Sequence, residues 1–494
     1  MTLPFVNTPA NWRLPLFSAE LDNSQANTST VQQRVLVIGQ ITAAGIAAPS
    51  IPLLSAGVSD AQLQGGVDSN LALMTAAYRG NDAFSELWYL PLSDAAGATA
   101  AAGTVTFTAQ ATANGTLSLY VGDVRYQMPV TSTQTIAQLA TALAALINAD
   151  PSCPVNAAAA AGVVTLTAVN AGTIGNEIGL MLNYQGTKGG EATPVGLAVT
   201  LVSLTGGAIN PTLTTALSNL GDLTFDFIVC PYTDTTSLQA VQAFLNDQAG
   251  RWSPLQQLYG HVWAVYRGTA GACTTFGTGF NDQHTSVLGL PVGVPTPAWK
   301  AAAQWVAAQA PALQNDPGRP VQSLPIGGLL APPSSGQFLN TTRNTLLWDG
   351  ISTFTVGDDG TCYVENTITT YQKNAYGAPD DSYLEVETMY LLAYVMRYLK
   401  GIVTSKYGRV KLAANGTRFS AGAPVVTPNI IKADLIAAYQ ALESAGYVQN
   451  SAAFAAALIV EQNATNPNRV DVLWPGTLID QLRQFALLAQ FRLS

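Results

Sequence analysis

Charge is scarce in this 494-residue chain: Asp, Glu, Lys and Arg make up 10% of it, with 30 acids against 21 bases and a net charge of −9. An acidic balance lacks the positive field on which most nucleic-acid affinity rests, so neither DNA nor RNA is an expected partner of the whole chain. Histidine is scarcer still. His261 and His284 are the only two, and neither lies in a His-Glu-x-x-His motif or beside a cysteine pair, so the usual signals of zinc catalysis are missing. Cys153, Cys230, Cys273 and Cys362 are far apart and never form Cys-x-x-Cys, which argues against a zinc site or a disulfide framework and for four buried, inert thiols. No apolar run approaches the roughly 18 residues of a membrane helix, so no membrane partner is expected. The start, Met-Thr-Leu-Pro-Phe, has no basic region leading into an apolar core, and the expectation is a protein made and kept in the cytosol.

Motifs for chemistry are missing too. There is no Gly-x-Ser-x-Gly elbow, no Gly-x-x-x-x-Gly-Lys-Ser/Thr loop and no Gly-x-Gly-x-x-Gly after a strand. A set such as Ser286, His261 and Asp282 could assemble from a distance, but a chain this rich in Ser and Asp offers such sets by chance. Asp380, Asp381, Glu385 and Glu387 could serve a divalent cation or acid–base work; a solvated helix N-terminus, where acids favour the dipole, explains them better. The expectation is no enzyme, no cofactor and no metal.

What the chain does have is apolar content, 48% of its residues, with a mean hydropathy of +0.21. That is enough for several cores, and three or so domains are expected. An uncharged surface of Thr, Ser, Asn, Gln, Ala and Gly suits extensive protein–protein contact. The first thirty residues carry Leu14, Leu16, Phe17 and Leu21 among polar residues and proline, and read as an extended arm. Arg34–Gly39 is a continuous apolar run of the kind buried on both faces of a parallel sheet; a helix near Asn70–Arg79 and a second run, Leu87–Leu90, complete a βαβ-like opening. Near Ala95 the composition shifts to Ala, Thr and Gly with short strands (Val105–Ala109, Leu117–Val121, Arg125–Val130, Val163–Val169) and one helix, Ile136–Asn148. The α/β pattern resumes with Phe225–Cys230, a helix within Ser237–Trp252 and Val262–Tyr266. Trp88, Trp252, Trp263, Trp299 and Trp305 fall within apolar runs or helical faces and read as core. Beyond the Pro- and Gly-rich Pro311–Pro333 come hairpin strands around Asp358-Asp359-Gly360 and helices near Asp381–Val403 and Lys432–Ala445. The fold class is therefore mixed α/β and α+β, multidomain: arm 1–30; α/β core 31–94 with 206–345; inserted β-rich domain 95–205; C-terminal α+β domain 346–465; and strand-forming arm 466–494.

Two local patterns bear on partners. Between Glu387 and Asp434 there is no acid, while Arg397, Lys400, Lys406, Arg409, Lys411, Arg418 and Lys432 are basic, which is either a solvated face or a docking surface for an acidic partner. In the tail, Phe485, Leu487, Ala489, Phe491 and Leu493 alternate with Ala486, Leu488, Gln490 and Arg492, and Val470, Val472 and Leu473 belong to an earlier strand-like piece ending at Pro475-Gly476. Such pieces can add to a sheet edge in another copy or pair within the same subunit.

Several ordered segments resemble Mu-like contractile-tail sheath subunits. They are Leu14–Phe17 running into Asp22–Asn27 and Gln33–Gly39; Ala76–Asp82 with Glu86–Trp88; Gly250–Trp252 leading to Gln257–His261; Thr369–Gln372 with Asn374–Leu384; Thr404–Arg409; and Asn466–Leu473. The likeness spans both ends and the middle and is absent from the Ala/Thr/Gly-rich insertion. It implies a structural virion protein, assembled in the host cytoplasm, whose copies form hexameric rings stacked helically around a tail tube, with terminal arms completing a sheet in neighbouring copies. It also implies baseplate and tail terminator partners, an outward-facing insertion, and contraction without nucleotide hydrolysis. The basic stretch Arg397–Arg418 (Arg397, Lys400, Lys406, Arg409 and Lys411 above all) is the candidate tube contact, and hinges are expected near Ser24–Thr30 and Gln462–Pro467. The competing readings are a subtilisin-like α/β hydrolase and a β-rich adhesin.

Overall fold

The computed structural model describes residues 33–493. The arm residues Leu14, Leu16, Phe17 and Leu21 and the expected hinge at Ser24–Thr30 lie outside them.

The central element is a six-stranded sheet in the order Thr285–Pro291, His261–Gly268, Phe227–Val229, Val35–Gln40, Leu87–Leu92, Leu53–Leu54. All neighbours are parallel except the last, short strand. Every residue of Val35–Gln40 and Thr285–Pro291 is buried, the signature of strands covered on both faces, and this is why the first reads as an unbroken apolar run. Helix Asn70–Arg79 is capped by Ser69, whose side chain accepts from the Ala72 N–H. It lies so close to the first strand that a Cβ at Gly39 would sit 2.7 Å from the Leu71 Cα, so only glycine fits there. Helix Ala298–Asn315 packs beside it, with Trp299 and Trp305 buried and Pro311 in its last turns.

The chain leaves this sheet after Leu92 and returns at Phe227. Between them lie a four-stranded antiparallel sheet (Ala198–Thr205, Ala102–Ala109, Val163–Ala168, Val155–Ala160) and a three-stranded one (Val124–Val130, Gly115–Val121, Leu180–Leu182). Helix Ile136–Asn148 carries a full capping box from Thr135 and Gln138 and buries Leu139, Leu143 and Ile147.

The hairpin Thr353–Val356/Cys362–Asn366 turns at Gly360, where φ is +81°. It joins the core of the parallel sheet through Phe354, Cys362 and Val364. Helix Val386–Tyr407 belongs to two cores. Its first turns bury Val386 and Tyr390 with the sheet, and from Val395 onward it contributes to a second apolar cluster with Ile431, Leu435, Tyr439, Leu442 and Phe454 of Pro428–Ser444 and the segments after it. All four cysteines are free and buried, and burial pushes the thiols of Cys230 and Cys362 up to about 12.

Candidate self-assembly surface

In open parallel sheets a ligand crevice opens at the carboxyl ends of the strands where the chain switches direction, here between Val35–Gln40 and Phe227–Val229. In this protein that place is filled. The Gln40 amide donates to Asp94 and to the Ala171 carbonyl and accepts from the Tyr232 hydroxyl, and Asn170 donates to the Ile41 carbonyl. Arg267 pairs with Glu177 at 2.9 Å, Lys300 with Asp123 at 2.7 Å, and the Trp299 indole donates to the Ile174 carbonyl. The insertion is thus seated on the crevice by hydrogen bonds and ion pairs. The cavity left among Asn70, Asn170, Ile174 and Trp299 is about 10 Å³, room for roughly one water.

The suspected Ser/His/Asp set is half assembled at the opposite, amino end of the strands. His261 Nε2 and Ser286 Oγ are 2.8 Å apart, but His261 Nδ1 has no partner, and Asp282 instead accepts from the Thr285 hydroxyl at 2.6 Å. Both His261 and Ser286 are buried, so no substrate reaches them, and burial holds the imidazole well below its ordinary range, in the neutral form. The pair is a buried core contact without the orienting carboxylate that a triad needs. Among the described residues no group of three or more His, Cys, Asp and Glu could hold a metal ion, and no helix is long and apolar enough to cross a membrane.

The basic stretch divides in two. Arg397, expected to face an acidic partner, is instead engaged inside the subunit. Its guanidinium bonds the buried Asp226 at 2.5 Å and the Leu258 carbonyl at 3.3 Å, and lies over the Tyr259 ring. Tyr390, about two turns earlier on the same helix, stacks on Phe227 and donates to the Asp226 carbonyl. The helix is therefore fastened across the amino ends of the sheet strands. Lys400, Arg409, Lys411 and Arg418 are exposed, and Lys406 pairs with Asp434 at 3.1 Å on the surface.

The acids near Glu385 are also more than a solvated helix start. Glu387 is fully buried, accepts from the Val321 N–H at 2.9 Å, and together with Glu385 holds Arg483, each carboxylate 2.7 Å from the guanidinium. Burial raises the Glu387 carboxyl, with Arg483 working against that rise. Sequence spacing could not reveal this clamp, because its cation lies almost a hundred residues further on.

The clamp marks where the chain stops being held. Val470–Leu473 pairs antiparallel with Ile459–Gln462, so this strand-like piece forms a hairpin within its own subunit, and Gln462–Pro467, expected to be a hinge, is its turn, closed by the Asn463 N–H on the Arg469 carbonyl. Thr477–Leu478 then pairs with Val448–Gln449, and Arg483 follows. Beyond it, residues 484–493 have no strand partner among the described residues, and Phe485, Leu487, Leu488, Phe491 and Leu493 are all at least 78% exposed. The hairpin is two strands wide, with Ile459, Val472 and Leu473 exposed on it. Unsatisfied strand edges beside an uncovered apolar segment are the ordinary ingredients of strand addition.

Two family models match the chain: the phage tail sheath protein central domain over residues 206–370 and the phage tail sheath C-terminal domain over residues 378–492. The Mu-like prophage FluMu tail sheath protein of Haemophilus influenzae is 38% identical over 493 residues, 99% of this chain and 100% of that one. Among solved structures, a sheath tail protein from Desulfitobacterium hafniense aligns with 95% of this chain and 97% of its own at 13% identity and a TM-score of 0.49. A chain of the anti-feeding prophage baseplate aligns over 100% of both at 11% identity and a TM-score of 0.44.

Proposed function

Because this chain belongs to the phage tail sheath family, a family of structural proteins, we propose that it polymerises as hexameric rings stacked around a tail tube and contracts to drive that tube through a target envelope. The observation that carries the self-assembly half of this reading is the tail past Arg483. An isolated subunit leaves five large apolar side chains in water there, each worth about 1.5–3 kcal/mol when buried, beside a hairpin with open edges. Copies that lend their tails to one another's hairpins cover the first and complete the second. Linked in this way, the subunit bodies can rotate as rigid units between an extended and a contracted packing without losing connection. The N-terminal arm, with Leu14, Leu16, Phe17 and Leu21, is the second strand donor in this scheme, and the insertion faces outward.

Lys400, Lys406, Arg409 and Lys411 are the cations proposed to meet an acidic tube, in a surface contact weak enough to release on contraction. The baseplate and the tail terminator are the partners proposed at the two ends of the polymer, which is built in the host cytoplasm and carried in the virion.

The test is negative-stain electron microscopy of the full chain beside one lacking residues 1–27 and one ending at Arg483. Rings or tubes from the full chain, lost on either truncation, are expected. Monomers from the full chain, or tubes from both truncated forms, would defeat the strand-exchange reading.

A further inference from the structure

The tetrapeptide Ala-Asn-Gly-Thr occurs twice, as Ala113–Thr116 and as Ala414–Thr417, and these hold the chain's two Asn-Gly pairs. In such a pair the glycine nitrogen, with no side chain in the way, can turn on the carbonyl carbon of the asparagine side chain, so the fate of each depends on how its backbone is held. The two are held in opposite ways.

Asn114-Gly115 enters strand Gly115–Val121, which pairs with Val124–Val130 across the two-residue turn Gly122-Asp123. Val121/Val124 closes that turn as a hydrogen-bonded pair and every second pair repeats the pattern, so the Gly115 N–H belongs to the Val130 carbonyl. The alternate residues turn the other way, as the ladder requires: the Ser118 carbonyl accepts from the Asn183 N–H and the Gly122 N–H donates to the Gly179 carbonyl. A Cβ at Gly115 would lie 3.1 Å from the Pro194 ring, so the backbone there is also closely covered.

Asn415-Gly416 occupies the centre of an exposed turn, closed by the Thr417 N–H on the Ala414 carbonyl at 3.2 Å, with Gly416 at φ +85°. The Gly416 N–H has no hydrogen-bond partner among the described residues, and a Cβ on Gly416 would meet nothing within 4 Å. The asparagine side chain is aimed by a helix: Asn415 Oδ1 accepts at 3.0 Å from the Asn429 N–H, in the first turn of Pro428–Ser444. An N–H at a helix N-terminus polarises that carbonyl and stabilises the negative charge its oxygen acquires under attack.

We propose that Asn415 is a site of spontaneous deamidation built into the C-terminal domain. The Gly416 nitrogen bonds to Asn415 Cγ and gives up its proton, the Cγ–Nδ2 bond breaks and ammonia leaves, and solvent water opens the five-membered imide to aspartate or its β-linked isomer. The new carboxylate appears at a helix start that has no acid in its first turn, and in the interval from Glu387 to Asp434 that otherwise holds bases and no acid. The aspartate form strengthens the cap of Pro428–Ser444 and lowers the positive charge of the surface that carries Lys406, Arg409, Lys411 and Arg418.

The experiment follows both sites in the purified full chain at mildly alkaline pH, by mass spectrometry of proteolytic peptides, beside the same chain in concentrated urea. Their identical flanking residues make Asn114 the internal control, and in urea the two should convert alike. In the folded chain Asn415 is expected to convert at least as fast as in urea, and Asn114 about tenfold or more slowly than Asn415, because its glycine must first leave the ladder. A folded chain that keeps Asn415 intact while urea converts it, or that converts both sites equally, overturns the proposal. Asn415→Asp tests the consequence without the reaction: the Asn429 amide should exchange about two- to fivefold more slowly than in the native chain, and equal or faster exchange removes the capping role.

Discussion

Replacing Arg483 with methionine removes the cation between Glu385 and Glu387 and keeps most of the side chain's volume. Glu387 is fully buried and would keep the Val321 N–H as its remaining hydrogen-bond partner. Breaking a buried ion pair from one side costs about 3–5 kcal/mol, less whatever the stranded carboxyl recovers by taking up a proton. Burial already raises Glu387 above its ordinary value, and without Arg483 it rises further. A carboxyl that holds its proton more tightly folded than unfolded penalises folding in full above its folded pKa. The penalty disappears below its unfolded pKa. The deficit of the variant is therefore greatest at neutral pH and shrinks as pH falls toward 4. Because the clamp sits at the root of the tail, the loss is local, and hydrogen exchange read by mass spectrometry is the fitting assay. At pH 7.5 the amides of Val321 and Thr477–Leu478 should exchange about 100-fold or more faster than in the native chain, since each 1.4 kcal/mol is a factor of ten. Adding Glu387→Gln should recover part of the protection. Exchange unchanged at neutral pH, or a deficit equal at pH 7.5 and pH 5, would refute the buried clamp as the anchor.

Arg397→Ala should strand the buried carboxylate of Asp226 and loosen helix Val386–Tyr407 from the sheet, lowering stability by about 3 kcal/mol in urea denaturation. Gly39→Ala places a methyl against the Leu71 backbone and should cost about 1–3 kcal/mol by the same measurement, with assembly otherwise intact at low temperature. Reversing Lys406 and Arg409 to Glu should weaken assembly templated on purified tubes and leave tube-free polymerisation unchanged; equal behaviour in both assays would remove these cations from the tube contact.

The elements most legible in the sequence were those whose pattern comes from local chemistry. Val35–Gln40, Phe227–Val229 and His261–Gly268 show as apolar runs because both faces are covered, and Ile136–Asn148 shows its capping box and apolar stripe outright. Thr285–Pro291 was not legible, since its first buried residues are Thr and Ser, whose polarity is absorbed by Asp282 and His261. Helix Ala298–Asn315 was hidden by Pro311 near its end and by an alanine-rich sequence that is apolar nearly all round. Ile459–Gln462 escaped notice because two of its four residues are polar and its partner strand fixes it. At the candidate site, the alternating tail was visible as a pattern. The clamp that ends the held part of the chain, and the commitment of Arg397 to Asp226, depend on contacts between residues about a hundred or more positions apart.

A parallel sheet has a direction, and here its two ends carry different attachments. The long C-terminal helix grips the amino ends through Arg397 and Tyr390, and the insertion rides on the carboxyl ends through Gln40, Arg267 and Trp299. A thrust entering at one end leaves at the other along the strands themselves, so covalent backbone carries the load while the ladder hydrogen bonds are only sheared between neighbours that move together. The sheet is in that sense a strut: a displacement of the C-terminal helix reaches the insertion through the strands that join their two attachments.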